Sequence, residues 1–279
     1  MMTMAQRISA IVGAAHAGPT VVVTLVTVVL ATASGLEPWR VVAIGAMMLT
    51  NQLSIGWSND AIDSARDREA NRTDKPIVRG DVGARGIMML AAASAITAMA
   101  ISVTLGLALA MVHLVSLASG WLYNAGLKRG VAATLCYIVG FGLIPLMVTL
   151  ARADPRPAEW WAIVMGGLLG LAAHFANVLP DLDDDRRHGI RSLPHRLGAR
   201  WAGIIALVAL AAAGVLGVVG PGVATPVTIV GATATLVLLV AGVVVIVRAP
   251  ESRGLFRIIM LAALAVVVTL AGAASAIVV

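Results

Sequence analysis

Apolar residues run through this chain in long blocks that no charged side chain interrupts: 8–36, 41–59, 86–127, 130–151, 160–180, 201–247 and 258–279. A helix rises 1.5 Å per residue, so about 20 residues cross a hydrocarbon core of about 30 Å. Five of the blocks predict one spanning helix each, and 86–127 and 201–247 have room for two. In the second long block, Gly220-Pro221-Gly222 with Pro226 marks the turn, because proline lacks a backbone donor and glycine frees the backbone. In the first, Gly106 and His113 are the only punctuation, so the break is expected within 105–113. The pattern predicts an all-α polytopic membrane protein. It has nine transmembrane helices in a bundle with cytoplasmic cap loops, and one domain covers 1–279.

Composition agrees with lipid as the solvent. Hydrophobic residues make up 59% of the chain and charged residues 12%, against roughly 45–50% and 25% in soluble domains. The apolar run after Arg7 is too long for the core of a signal peptide, so no cleavable leader is expected. The few charges then orient the helices. With the N-terminus in the cytoplasm and nine spans, 17 of the 20 Lys and Arg fall in inside segments. Only Arg40, Arg152 and Arg156 are left outside. Such a bias is the positive-inside pattern, and it places the C-terminus on the opposite side of the cell membrane. It also explains the net charge of +6 without a nucleic-acid partner, since a basic face suits anionic headgroups. Cys136 is the sole cysteine, which excludes an intramolecular disulfide, and it reads as a small buried residue.

Seven of the 14 acidic residues gather in two short segments at expected helix ends. One is Asn59-Asp60-Ala61-Ile62-Asp63-Ser64-Ala65-Arg66-Asp67, and the other is Asn177-Val178-Leu179-Pro180-Asp181-Leu182-Asp183-Asp184-Asp185. Both contain N-x-x-x-D-x-x-x-D, offset by 118 positions, and both precede a basic loop, which reads as an internal parallel repeat. Positions i, i+4 and i+8 lie near one helix face. Asn59, Asp63 and Asp67, and likewise Asn177, Asp181 and Asp185, therefore form rows of hard oxygen donors. Rows of like charge need a cation, and such donors suit Mg²⁺ bridged to phosphate. Asp183 and Asp184 fall off that face and are not expected to be ligands. Nearby Arg and Lys side chains can hold phosphate oxygens. A third polar stretch, Tyr123-Asn124-Ala125-Gly126-Leu127-Lys128-Arg129, reads on spacing alone equally well as a membrane-interface anchor.

These residues resemble the UbiA superfamily of intramembrane prenyltransferases. Asn59-Asp60-x-x-Asp63-x-x-x-Asp67 with Arg72-Thr73-x-x-Pro76-Ile77 is similar to the family's first signature. Asp181-x-x-x-Asp185-x-x-x-Gly189-x-x-Ser192-Leu193-Pro194 is similar to its second, and Tyr123 with Lys128 and Arg129 to the stretch between them. Asn177 stands where many members have Asp, and Ser192 where Thr is usual. The resemblance implies a Mg²⁺-dependent transfer, on the cytoplasmic side, of a polyprenyl group from an allylic polyprenyl diphosphate. The acceptor is lipophilic or aromatic, like a quinone precursor, and diphosphate is released. Two Mg²⁺ ions, held by Asn59, Asp63, Asp67, Asn177, Asp181 and Asp185, bridge the diphosphate. Arg72, Lys75, Tyr123, Lys128, Arg129 and Arg186 bind substrate. Arg72 and Lys128 also oppose the leaving-group charge, Tyr123 donates to a phosphate oxygen or steadies the allylic cation, and Asp60 takes the released proton or orients the acceptor. A membrane terpene cyclase of the same superfamily is the alternative, and a cation-coupled transporter the rival of another class. His16 sits where members often carry a polar residue at the substrate mouth, but it reads first as a satisfied core histidine. His113 reads as structural. Met47, Met48, Met88 and Met89 read as ordinary helix packing.

Overall fold

The structure is a computed structural model and describes residues 3–182, 192–249 and 253–279; the side chain of Asp181 lies outside the description. The helices are α1 (Met4–Gly13), α2 (Ala17–Ala33), α3 (Pro38–Glu69), α4 (Pro76–Arg79), α5 (Ala84–Leu105) and α6 (Leu107–Ala125). There follow α7 (Ala132–Leu150), α8 (Trp160–Val178), α9 (Leu193–Leu197), α10 (Ala199–Val219), α11 (Pro226–Arg248) and α12 (Arg253–Gly272). No strand occurs among the described residues.

Seven of these helices, α5 to α8 and α10 to α12, are long and apolar enough to cross a membrane. Counting α1 and α2 as one bent span makes eight. The chain is therefore a multi-pass membrane protein, but the expected nine spans are not confirmed. Helix α3 stays out of that set because Asn51, Gln52 and the Asp-rich segment dilute its apolar run. At 32 residues it is about 48 Å long, well beyond the roughly 30 Å of hydrocarbon. Its first half is apolar, and Asp60, Asp63 and Asp67 lie buried in its polar second half.

The bundle is apolar outside and small-residue inside. Along α11, Val230, Val237, Val240, Val243 and Val247 face outward, as lipid contact demands. Inside, Met47, Met147, Met165, Phe175, Leu210 and Ile259 make the main core. Without a hydrophobic force between helices in lipid, close backbone approach supplies the packing. Gly166 and Gly170 of α8 show this: a Cβ on Gly170 would lie 2.3 Å from the Tyr137 carbonyl oxygen, and one on Gly166 2.7 Å from that of Phe141. This contact fixes α7 against α8 and sets the height of Tyr137.

Two breaks position the site. The turn between α5 and α6 is Gly106, at φ 142°, which glycine alone adopts freely. It falls within the expected interval, so His113 is an interior residue of α6. The second break lies between α1 and α2, which are bent by 68°. There His16 takes a left-handed conformation at φ 51°. The bend is clamped to α3 from both sides. Trp57 Nε1 donates to the Ile11 carbonyl at 2.9 Å. Gly56 packs so closely that an added Cβ would lie 2.3 Å from the Ala15 carbonyl oxygen. The expected turn between α10 and α11 is present, and Pro226 starts α11 with Thr225 as its N-cap.

Candidate functional site

A cavity of about 550 Å³ opens between α2, α3, α6, α7 and the end of α8. From α3 it is lined by Met48, Gln52, Gly56, Asn59, Asp63 and Arg66, residues three or four apart on one helix face. Asn177, at the last turn of α8, lines the same cavity. The two N-x-x-x-D segments, 118 residues apart in sequence, thus begin on opposite walls of one space.

Lys128 stands between the first two donors. It sits in the single 3₁₀ turn Leu127–Arg129 after α6 and is 8% exposed. Its Nζ donates to Asn59 Oδ1 at 3.1 Å and to both oxygens of Asp63 at 2.6 Å. An ammonium group is therefore held where the rows of oxygen donors require a cation, and Asn59 and Asp63 fit one. Burial pulls the Lys128 pKa below its ordinary value, and the hydrogen bond it donates to Asp63 opposes that pull. Arg66 Nη2 donates to Asp63 Oδ2 at 2.9 Å and lies 3.6 Å from Asp67 Oδ1.

Asp67 departs from the expected row. It is buried beside Arg66 and does not line the cavity. A helix turns 100° per residue, so i+4 is displaced about 40° and i+8 about 80° from the first position, whereas i+7 returns to within about 20°. Arg66, not Asp67, therefore shares the face of Asn59.

Asp60 also lies behind the cavity wall. It is 2% exposed, and its Oδ1 accepts from His16 Nε2 at 2.8 Å and from Lys75 Nζ. His16, the half-exposed member of this trio, is the one that lines the cavity. The expectation of a satisfied core histidine for His16 is therefore corrected: the bend between α1 and α2 brings it out of the core and onto the site. Lys75 is paired to Asp60 and turned from the cavity lining. Arg72 donates to Asp74 at 3.1 and 3.2 Å on the surface, and that bond holds the Asp74 carboxyl below its ordinary pKa. Arg129 is exposed and outside the lining. Asp183, Asp184, Asp185 and Arg186 lie outside the described residues, as does the Asp181 side chain.

Aromatic rings close the wall opposite α3. Tyr123 meets Tyr137 edge-on at 5.4 Å, and Tyr137 stacks with Phe141 at 6.2 Å. Asn177 Nδ2 donates to the Tyr137 hydroxyl at 3.4 Å. Tyr123, Tyr137 and Phe141 all line the cavity. Sequence reasoning named Tyr123 but missed Tyr137 and Phe141, whose positions depend on the glycine contacts of α8. It missed Arg66, although its i+3 spacing from Asp63 was readable. It also missed His195, which lines the cavity and pairs through Nδ1 with the Ser192 hydroxyl at 2.6 Å. Cys136 lines the cavity half-buried rather than filling the core. Met48 is a wall residue too, whereas Met47 packs in the core as expected.

The model of the UbiA prenyltransferase family matches residues 20–264. The chain belongs to the UbiA prenyltransferase family. Solved UbiA-family structures share its fold. A UbiA homolog from Aeropyrum pernix K1, in its apo form, is 20% identical over 88% of this chain and 94% of its own, with a TM-score of 0.73. A digeranylgeranylglyceryl phosphate synthase is 12% identical over 96% of this chain and 99% of its own, also at 0.73. A UbiA homolog from Archaeoglobus fulgidus bound to GPP and Mg²⁺ is 13% identical over 93% and 97%, at 0.66. No curated protein matches the sequence closely enough to count as a relative.

Proposed function

We propose that this UbiA-family protein transfers a prenyl group from an allylic polyprenyl diphosphate to an aromatic, quinone-precursor-like acceptor inside the membrane. The observation that carries the reading is the cation held between Asn59 and Asp63 at the mouth of a cavity whose other wall begins with Asn177. The Archaeoglobus fulgidus homolog binds GPP and Mg²⁺, which supports the same ligand class here. Two Mg²⁺ ions, held by Asn59 and Asp63 and by Asn177 with Asp181 and Asp185, would neutralise the diphosphate as Lewis acids.

The chain's own residues do the rest. Lys128 and Arg66 present fixed positive charge where leaving-group charge develops, at no reorganisation cost. Diphosphate leaves with the electrons of the C1–O bond. The allylic cation left behind faces Tyr123, Tyr137 and Phe141, and an aromatic face near a cation contributes about 0.5–2 kcal/mol. The acceptor forms its new bond to C1 and loses a proton. His16, hydrogen-bonded to Asp60, is a base on the cavity wall beside Asn59, so Asp60 takes part in removing the proton through His16. Asp67 acts through Arg66. The Lys and Arg distribution supports a cytoplasmic N-terminus and a site on the cytoplasmic side.

The test is diphosphate release from geranyl diphosphate by membranes holding the protein, with and without Mg²⁺ and candidate acceptors. Release is expected only with Mg²⁺, and Asp63→Ala or Asp181→Ala abolishes it while the protein still inserts. Wild-type-like release in either variant overturns the metal assignment. Equal release with and without every acceptor, with a cyclised product by mass, identifies a cyclase instead.

A further inference from the structure

The cavity does not become uniformly apolar with depth. About 10–12 Å along α3 from Asn59, its wall carries two adjacent carboxamides, Asn51 and Gln52, faced by Ser116 of α6. Their amide protons are poorly satisfied. Asn51 Nδ2 and Gln52 Nε2 both reach the same thioether, Met48 Sδ, at 3.8 and 3.7 Å. A thioether is a weak acceptor, so the amide donors of buried Asn51 and half-buried Gln52 lack a strong partner. Behind them, His113 is fully buried, with Nε2 3.3 Å from Asn51 Oδ1 and Nδ1 without a partner among the described residues. That contact occupies the Asn51 carbonyl oxygen and leaves its amide nitrogen, in a side chain 1% exposed, with the Met48 thioether as partner beside the cavity.

The charges on the lining, Asp63, Arg66 and Lys128, stay at the mouth. The opposite wall, with Phe141, Ile144, Val178 and Phe256, is apolar. A hydrocarbon tail laid on the carboxamides would seal their donors from any acceptor, at a desolvation cost that the apolar wall avoids.

We infer that Asn51 and Gln52 form a deep subsite for the oxygen of an uncharged prenyl acceptor, a phenol, quinol or carbonyl group, and that the prenyl tail lies along the α7 wall. The inference rests on the function proposed above and narrows its acceptor class. Among the described residues, Arg66 and Lys128 are the Lys and Arg side chains that line the cavity, and both lie by Asp63, so a carboxylate beside the carboxamides would have neutral donors to offset its desolvation and is disfavoured there.

Solubilised protein with Mg²⁺ and unreactive geranyl S-thiolodiphosphate provides the test. Equilibrium binding is measured for methyl 4-hydroxybenzoate and for 4-hydroxybenzoate. Failure of the thiolodiphosphate to bind would sink the proposed function itself, whatever the ester does. Given that it binds, the wild type is expected to hold the neutral ester more tightly than the carboxylate. Gln52→Met, which keeps length and helix propensity, is expected to weaken the ester roughly fivefold to tenfold, as loss of one hydrogen bond does, with thiolodiphosphate affinity unchanged. Ser116→Ala makes the same comparison from the facing helix should Gln52→Met not fold. Equal ester affinity in variant and wild type, no ester binding at all, or tighter binding of the carboxylate overturns the inference. So does a Gln52→Met protein that gains affinity for the geranylgeranyl thiolodiphosphate over the geranyl one, because the tail would then occupy the deep end.

Discussion

Removing Lys128 tests whether the site is electrostatically closed before substrate arrives. Its ammonium makes three contacts, two of them at 2.6 Å to one carboxylate, at 8% exposure. Deleting one partner of a buried ion pair costs about 3–5 kcal/mol when the other is left alone. Asp63 is not left alone, because Arg66 still donates to it at 2.9 Å. The expected loss is therefore nearer the value of a charged hydrogen bond, about 2 kcal/mol, which corresponds to a fall in melting temperature of roughly 4–8 °C. Lys128→Met is chosen because methionine fills the same channel without charge. Mg²⁺ competes with the Lys128 ammonium for the same Asp63 oxygens, so added Mg²⁺ should stabilise the variant more than the wild type. The assay is thermal unfolding in detergent, with and without Mg²⁺, followed by the KM for geranyl diphosphate, which should rise. The pH dependence has a defined sign. Where the folded Lys128 has lost its proton and the unfolded one has not, the unfolded state binds more protons, so stability rises with pH. That rise lies between the lowered folded pKa and the ordinary lysine value, and it should vanish in Lys128→Met. An unchanged melting temperature, an identical response to Mg²⁺ and an unchanged KM would together refute the argument and return Lys128 to a membrane anchor.

Lys75→Ala leaves the 2%-exposed Asp60 with His16 as its remaining side-chain partner among the described residues and should lower thermal stability by several degrees. Gly170→Leu forces a side chain into the Tyr137 backbone and should abolish a monodisperse peak in size-exclusion chromatography. Tyr137→Leu keeps bulk but removes the ring, and should lower kcat for prenyl transfer with little change in geranyl diphosphate binding.

The bundle was legible because its signals are local. Charge-free blocks marked the seven helices long and apolar enough to cross, though not nine confirmed spans, and Gly106 and Pro226 marked two of the turns. What stayed hidden depends on one element meeting another. In the apolar run from 8 to 36, Gly13 and Gly18-Pro19 flank His16 but do not by themselves fix a bend there; the clamp comes from Gly56 and Trp57 on α3. For the same reason Tyr137 and Phe141 were indistinguishable from core residues until α8 fixed their height. The cation between Asn59 and Asp63 was foreseeable in kind, since rows of carboxylates demand one, but its identity as Lys128 required the turn after α6.

Helix phase accounts for the one place where the spacing misled. Four-residue steps keep two donors together, but by the third the row has rotated about 80° off the face, so Asp63 points into the cavity and Asp67 against Arg66. The difference is measurable. Asp63→Asn removes a carboxylate that faces the site and should weaken Mg²⁺-dependent binding of geranyl S-thiolodiphosphate by about tenfold or more. Asp67→Asn keeps Asn59 and Asp63 in place and loosens only Arg66, whose other hold is Asp63 itself at 2.9 Å. Its effect on the Mg²⁺ concentration required should be several-fold smaller than that of Asp63→Asn. Equal effects would mean that Asp67 turns into the cavity when metal and diphosphate bind, and that the helix end unwinds to let it do so.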